Sequence, residues 1–517
     1  MTKSLEKWQF GDFQTPDDLA QEVVKTLNRN HKISPEFIIE PSCGRGSFIR
    51  ASLNGFIHSR VIGLDINEDH VEEANLSIAE YLNSENATIY QSNFFNTDWK
   101  SLVSNLSGHI LIVGNPPWVT SSELSILNSQ NLPSKSNFQN RRGIEAITGS
   151  GNFDISEWMF LQYVQWLSNR EGTIAILCKY SVACKVIRQV KKKLGKRFSA
   201  YIYSIDAKVY FGASVEACLC VLSTNPSPNI DCEVYENLKS EKASYLIGER
   251  DGSIVKNTSK YEEWRHLAGQ DLKYLWRSGI KHDCSKVMEI ERIHDNLFQN
   301  GLGEESILEE DYLYPLLKSS DVGNGRTLQY RKLVLVTQKT IGEDTSTIKD
   351  KAPNTWKYLL GCQQYLKDRK SSIYKNKPPY SIFGVGPYSF KNWKIAISGL
   401  YKKLNFCIIE PLDGKSVMFD DTVNFLSFDT EEEAKFIFGL VTSKPSLEFF
   451  NSMIFWDEKR PITIDLLRRL SFKAVAKELG SLETYLHYAE AVNMNSNGQL
   501  KFGLAEHPSQ YNVLGRP

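Results

Sequence analysis

Through the first 220 residues, short apolar runs alternate with stretches whose apolar residues recur at helical spacing. Phe37-Ile38-Ile39 stops at Glu40-Pro41, Val61-Ile62-Gly63-Leu64 ends at Asp65, and Ile110-Leu111-Ile112-Val113 ends at Gly114-Asn115. Thr173 to Leu177 and Ala217 to Leu222 are two further runs of this kind. All are short enough for strands, and between them Asp69 to Leu82 and Ile155 to Leu167 read as helices. Strands alternating with helices predict an α/β unit, doubly wound, with a mostly parallel sheet covered on both faces. Ligands of such sheets lie beyond the carboxyl ends of the strands, where Glu40, Asp65 and Asn115 fall. After Thr224-Asn225-Pro226-Ser227-Pro228 the alternation fades, and from about residue 270 the strands are less regular and the aromatics and turns more frequent.

Length and composition refine this picture. A chain of 517 residues is too long for one ordinary domain. With 41% hydrophobic and 24% charged residues, each part can bury a core. The 61 basic and 61 acidic residues cancel, which excludes a uniformly basic nucleic-acid binder but leaves room for a local basic face. Lys367 to Lys403 carries nine Lys or Arg against one Asp, and Lys185 to Arg197 carries seven and no acid. Either run, taken alone, reads as a solvated face. The nine cysteines are scattered without a C-x-x-C pair, a reduced, cytosolic usage with no metal-ligand spacing. No apolar run is long enough for a membrane helix, and the N-terminus lacks a signal core. The expected location is therefore the cytoplasm, with no membrane partner.

Three segments carry chemistry. Glu40-Pro41-Ser42-Cys43-Gly44-Arg45-Gly46-Ser47-Phe48 follows a strand and precedes a helix, and its glycines allow backbone to approach a ligand closely. It is neither the usual dinucleotide nor phosphate-loop pattern. The carboxylate before the turn suits a cationic ligand such as a sulfonium amino acid; a plain tight turn is the alternative. Asp65, about 20 residues on, can accept from two ribose hydroxyls or cap the next helix. Gly114-Asn115-Pro116-Pro117-Trp118 is the strongest signal. Two prolines fix an extended backbone. The Asn115 amide oxygen and the Pro116 carbonyl are two acceptors beside a flat indole. Together they suit a planar amino group, whose lone pair they can draw out of conjugation toward an electrophilic methyl.

In order and residue type, positions 10 to 222 resemble the N6-adenine DNA methyltransferases of the gamma arrangement. Gln14-Thr15-Pro16 resembles their N-terminal cofactor motif, Glu40 to Phe48 the methionine-binding motif, Asp65 the ribose-binding acid, and Asn115 to Trp118 the catalytic N-P-P-Y/F/W tetrad. Gly151-Asn152-Phe153-Asp154 resembles a motif lining the cofactor and target pockets, and Val209 to Val215 one whose aromatic packs on the flipped base. The family has Asp-Phe where this chain has Asn93-Phe94.

The resemblance implies a seven-stranded methyltransferase sheet with a separate C-terminal α+β target recognition domain. It implies S-adenosyl-L-methionine as cofactor and N6 of an adenine extruded from duplex DNA as target, in a restriction-modification setting. The implied catalytic residues are Asn115, Pro116, Pro117 and Trp118. Cofactor contacts fall to Thr15, Glu40, Ser42, Gly44, Gly46, Asp65, Asn93, Phe94 and Asn115. Target packing falls to Trp118, Tyr210 and Phe211, with no metal. Expected boundaries are 1–235 for the catalytic domain, 236–270 for a linker and 271–517 for recognition. Within the last, Lys375, Lys377, Lys391 and Lys394 are expected on DNA. Tyr380 to Leu400 and Phe455 to Thr463 resemble C-terminal parts of such enzymes. The stretch from Val119 to Ser150 reads as a mobile loop, and the tail after 490 as loosely ordered. The chain is expected to act as a monomer, with any companion endonuclease separate. Competing readings are a methyltransferase for a protein glutamine amide or an rRNA guanine, a bifunctional restriction enzyme, and an inactive DNA-binding module.

Overall fold

The computed structural model describes residues 14–119, 154–194, 197–213, 215–224, 231–456 and 458–490. The expected loop from Val119 to Ser150, residues 151–153 of the Asn152-Phe153 motif, Ser214, Asp457 and the tail after 490 lie outside them, except Val119 itself. The chain divides into two compact units, 1–261 and 262–517.

The first unit is built on one sheet of ten strands. These are β1 (Phe37–Glu40), β2 (Arg60–Asp65), β3 (Ala87–Gln91), β4 (Ile110–Gly114), β5 (Gly172–Lys179), β6 (Ser199–Ile205), β7 (Ala217–Ser223), β8 (Cys232–Tyr235), β9 (Tyr245–Arg250) and β10 (Ser253–Val255). Their spatial order is β10-β9-β8-β6-β7-β5-β4-β1-β2-β3. β3, β2, β1, β4 and β5 run parallel, and β7 runs antiparallel between β5 and β6. The sheet is a mixed one within an α/β unit, and it holds ten strands where seven were expected. The reason is local: Glu233 to Tyr235 of β8 pair along β6, and the other edge of β8 carries β9 and then β10. Residues 236–270 are therefore no linker; they contain two strands of this sheet and a helix, Thr258–Trp264.

Every residue of β4, and every residue of β5 but the last, is buried, as apolar strands covered on both faces must be. The helices are α1 (Asp17–Thr26), α2 (Ser47–Gly55), α3 (Glu68–Ile78), α4 (Trp99–Ser104), α5 (Ile155–Trp166), α6 (Tyr180–Leu194) and α7 (Ala207–Phe211). Pro16 opens α1, with Asp17 and Asp18 against the positive end of its dipole. The chain steps outward from β1 to β3, then returns to place β4 on the other side of β1. That reversal opens a crevice at the carboxyl ends of β1 and β4.

The second unit has two sheets. One, in the order β11-β20-β17-β18, joins Arg277–Ser278, Val423–Phe428, Trp393–Ser398 and Phe406–Ile409, all antiparallel. The other, in the order β14-β13-β12-β16-β15-β19, joins Glu305–Ile307, Leu297–Asn300, Glu289–His294, Lys332–Leu335, Leu313–Leu317 and Met418–Phe419. Helices α8 (Pro353–Gly361), α9 (Glu431–Val441) and α10 (Phe472–Glu478) complete it. The unit mixes sheets with helices. All nine cysteines are free. Among the described residues no helix is long and apolar enough to cross a membrane.

Candidate active site

The crevice is assembled from strand ends. Glu40 closes β1, is 3% exposed, and has one carboxylate oxygen, Oε2, with no hydrogen-bond partner among the described residues. Burial pushes its pKa well above the usual carboxylate range, and the neighbouring Asp65 charge adds to that; Arg50 and the Ile49 amide pull the other way. Arg50 offsets only part of that cost, and a positively charged ligand beside the two carboxylates would offset more.

The turn after Glu40 is held by its neighbours. The Cys43 amide donates to the Leu64 carbonyl at 2.8 Å, and the Gly46 amide to the Cys43 carbonyl at 2.9 Å. Gly44 has φ +50°, and a Cβ on it would meet Gln14 Oε1 at 2.6 Å. Gln14 Oε1 also accepts from the Arg45 amide at 3.1 Å, and the Ser47 hydroxyl donates to the Thr15 carbonyl at 2.7 Å. The Gln14-Thr15 segment thus lies against the glycine turn, and Ser42 is half-buried within it.

Asp65 closes β2. Its Oδ2 accepts from the Gly44 amide at 2.8 Å and its Oδ1 from the Asn67 amide at 2.9 Å, with His70 Nδ1 at 3.6 Å. The helix-cap alternative for Asp65 falls away, because Asn67 caps α3 by accepting from the Asp69 amide. With a carboxylate's four lone-pair sites, Asp65 keeps capacity for further donors such as two hydroxyls.

Beyond β3, Asn93 Oδ1 accepts from the Phe95 amide at 2.9 Å, an Asx turn. Phe94 is 8% exposed and packs among Trp99, Tyr163 and Trp166. It is the wall of an aromatic cluster more than a free stacking face. A cleft of about 750 Å³ opens beside it, lined by Phe95, Trp158, Gln162 and Trp166 among others.

The tetrad leaves β4 next to Glu40: a Cβ on Gly114 would touch only Glu40 Cγ, at 3.6 Å. Asn115 and Pro117 are half-buried and Pro116 is buried. Trp118 is 6% exposed, with its indole N–H donating to the Leu177 carbonyl at 3.3 Å. The Phe211 ring meets it edge-on at 5.1 Å and 67°. Phe211 ends α7, which Gly212 terminates at φ +64°, and Tyr210 is half-buried beside it. So Trp118 and Phe211 lie together, with the indole buried.

One participant was not foreseen. Lys179, the last residue of β5, donates from Nζ to the Trp118 carbonyl at 2.9 Å and to Asp154 Oδ2 at 2.8 Å. The signal available in the sequence was a lone cation ending an otherwise apolar strand.

Within the second unit, Lys375 and Lys377 are exposed. Lys391 pairs with Asp429 at 2.7 Å. Lys394 corrects the expectation for DNA contacts: it is 0% exposed, and its Nζ donates to the Lys391 carbonyl at 2.7 Å. Every residue of β17 after Trp393 is buried, so charge in the sequence run did not mean surface.

The chain was compared with known proteins. The pattern of the N-6 DNA methylase family matches residues 3–304. Over 474 residues, 91% of this chain and 98% of the other, it is 44% identical to the Type II methyltransferase M.NspV of Nostoc sp.. Among solved structures it resembles the Type IIL restriction-modification enzyme MmeI in complex with DNA (14% identity, TM-score 0.46, covering 93% of this chain and 69% of that one). It also resembles the methyltransferase subunit of a type I restriction-modification system from Streptococcus thermophilus (12% identity, TM-score 0.31, covering 47% and 50%). At those scores the fold rests on the strand order itself.

Proposed function

The chain belongs to the N-6 DNA methylase family, and from that premise we propose that the crevice between β1 and β4 is where it works. The protein is a DNA methyltransferase that uses S-adenosylmethionine to methylate N6 of adenine, the modification enzyme of a restriction-modification system. Family membership sets aside the protein-amide and rRNA readings. What carries the placement of the site is one juxtaposition: the Asn115–Trp118 tetrad leaves β4 beside Glu40, whose buried oxygen has no partner among the described residues.

The residues present fit the cofactor. Glu40 faces its cationic methionine end, with Ser42, Gly44 and Gly46 as a close-fitting backbone cradle and Thr15 behind it. Asp65 accepts from the ribose hydroxyls. Asn93 and the Phe94 wall bound the adenine. When bound, the cofactor supplies an electrophilic methyl on a sulfonium.

This chain's own residues orient the acceptor. The Asn115 amide oxygen and the Pro116 carbonyl accept from the two amino hydrogens. The nitrogen lone pair leaves conjugation and turns toward the methyl, so no general base is needed before attack. The amine proton passes to solvent afterwards. The hydrogen bonds strengthen as the nitrogen turns tetrahedral, which is where they lower the barrier. Adenine in a duplex cannot reach the crevice, so the base is extruded, at a cost of a few kcal/mol. Trp118 and Phe211, with Tyr210 beside them, pack against it. The second unit reads the target sequence, with Lys375 and Lys377 on phosphates. The chain works as a monomer in the cytoplasm, with any endonuclease a separate protein.

Long-read sequencing of DNA from an expressing host tests this directly. N6-methyladenine in one sequence context is expected, and none from Asn115→Ala. Full modification by Asn115→Ala would sink the site assignment.

A further inference from the structure

We propose that Lys179 is a positioning residue for methyl transfer, holding the exit of the catalytic tetrad at a fixed angle to β5. The proposal rests on the reading of Asn115 to Trp118 as the acceptor-holding loop.

The tetrad is tied at its far end by three links. Lys179 Nζ donates to the Trp118 carbonyl at 2.9 Å. The Trp118 indole donates to the Leu177 carbonyl, two residues earlier on the same strand, at 3.3 Å. The Ile155 amide, first in α5, donates to the Val119 carbonyl at 2.9 Å. Lys179 also joins these links to one another. Its Nζ lies 2.8 Å from Asp154 Oδ2, while Asp154 Oδ1 caps α5 by accepting from the Ser156 amide at 3.0 Å. The ammonium is 24% exposed and the Asp154 side chain 9%, so the pair is screened less than a surface ion pair.

The consequence follows from backbone freedom. Two proline rings fix φ at Pro116 and Pro117. At the near end, β4 fixes Gly114 by pairing with β5. Rotation remains at Asn115, about ψ of both prolines and at Trp118, and the Lys179 bond restrains the far end of that stretch through the Trp118 carbonyl. With that bond in place, the range over which the Asn115 oxygen and the Pro116 carbonyl can swing relative to β5 is narrowed. Without it, the two acceptors keep their chemistry but lose their common aim, and a displacement of about 1 Å can cost on the order of a hundredfold in rate. Lys179 touches no reacting atom in this scheme. Its cation serves because one ammonium reaches a carbonyl and a carboxylate together, and a neutral side chain of the same length reaches neither.

The test uses the full chain, unmethylated plasmid DNA and labelled S-adenosylmethionine. Lys179→Met is expected to lower kcat on the order of tenfold to a hundredfold, leaving the cofactor KM within about twofold, since Glu40 and Asp65 are untouched. Lys179→Arg, which keeps both the charge and the donors, should recover most of the rate. A wild-type kcat for Lys179→Met overturns the proposal, and so does a loss confined to the cofactor KM or unrelieved by Arg. If Lys179→Met fails to fold, Asp154→Asn probes the same link from its other end, and a wild-type kcat there is equally fatal. Asn115→Ala, run alongside, separates the two ideas: if it methylates normally the site assignment fails, whatever Lys179 does.

Discussion

Glu40 carries the sharpest consequence at the scale of a single residue. Its folded pKa is raised above the ordinary 4.5. A raised pKa means that the folded chain binds the proton more tightly than the unfolded chain does. Its contribution to stability is therefore complete below the ordinary value and is lost as pH rises through the raised one. In the cofactor-free protein, Glu40→Gln should remove that loss, so the variant's denaturant midpoint should exceed the wild type's increasingly from pH 4.5 upward. The same variant should bind S-adenosylmethionine more weakly. A parallel pH course for the two proteins would mean that Glu40 is solvated after all. Trp118 is a different case. Because it is packed against Phe211 and bonded to Leu177, Trp118→Ala should cost about 3–5 kcal/mol of stability as well as activity. Trp118→Tyr, which keeps the ring, should retain much of both; urea titration and a methylation assay on the two variants separate packing from stacking.

Among the elements, β17 is the instructive one. Lys394 lies within it, fully buried, and burial brings its pKa down to about 7. Below that value the folded chain carries a buried charge at full cost. Between about 7 and the ordinary 10.5 the unfolded chain binds more protons, so stability climbs with pH. Lys394→Met should accordingly stabilise the protein by on the order of 2–4 kcal/mol at neutral pH and below. The advantage should shrink toward pH 10, as read from denaturant midpoints, and DNA affinity should not change. A destabilised Lys394→Met would mean that the bond to the Lys391 carbonyl is worth more than the burial costs. The same strand explains what the sequence concealed. Apolar runs announced β1, β2, β4, β5 and β7 because both faces of those strands are covered. β3, Ala87 to Gln91, lies at the sheet edge with no residue fully buried, so no apolar run marks it. Lys394 was read as surface because a charged residue flanked by other lysines gives no sign of which side of a strand it occupies. Lys179 was passed over for a related reason: its two partners lie 61 and 25 residues away along the chain.

At the scale of the whole molecule, the basic run from Lys367 to Lys403 is no single surface. Arg369 stacks on Tyr374 at 3.7 Å and donates to the Ser381 carbonyl, Lys391 is paired, and Lys394 is buried. Lys367, Lys370, Lys375, Lys377, Lys402 and Lys403 remain exposed. The double change Lys375→Ala and Lys377→Ala should flatten the dependence of DNA affinity on salt by about two counterions, whereas Lys394→Met should leave the slope alone. An unaltered slope in the double variant would remove this loop from the DNA contact. The glycine turn, the acid at the end of β2 and the tetrad were legible because each combines rare residue types at a strand end. The division at residue 261 was not, since β9 and β10 carry a sheet past the proline-rich stretch at 224–228 that looked like its end.

Those added strands bear on where the gene could be cut. The segment after β8 also reaches back to the N-terminus: Thr26 and Arg29 donate to the Leu238 carbonyl, and Asn30 donates to that of Ser240. A fragment stopped at residue 235 would strip the partner from one side of β8, leaving an unpaired strand edge of the kind that recruits other chains. It would also unfasten the turn that follows α1. Expressed alone, 1–235 should elute from a sizing column as aggregate and 1–264, which keeps the helix Thr258–Trp264 whole, as a discrete species, so a split or fused version of this enzyme should be joined after that helix.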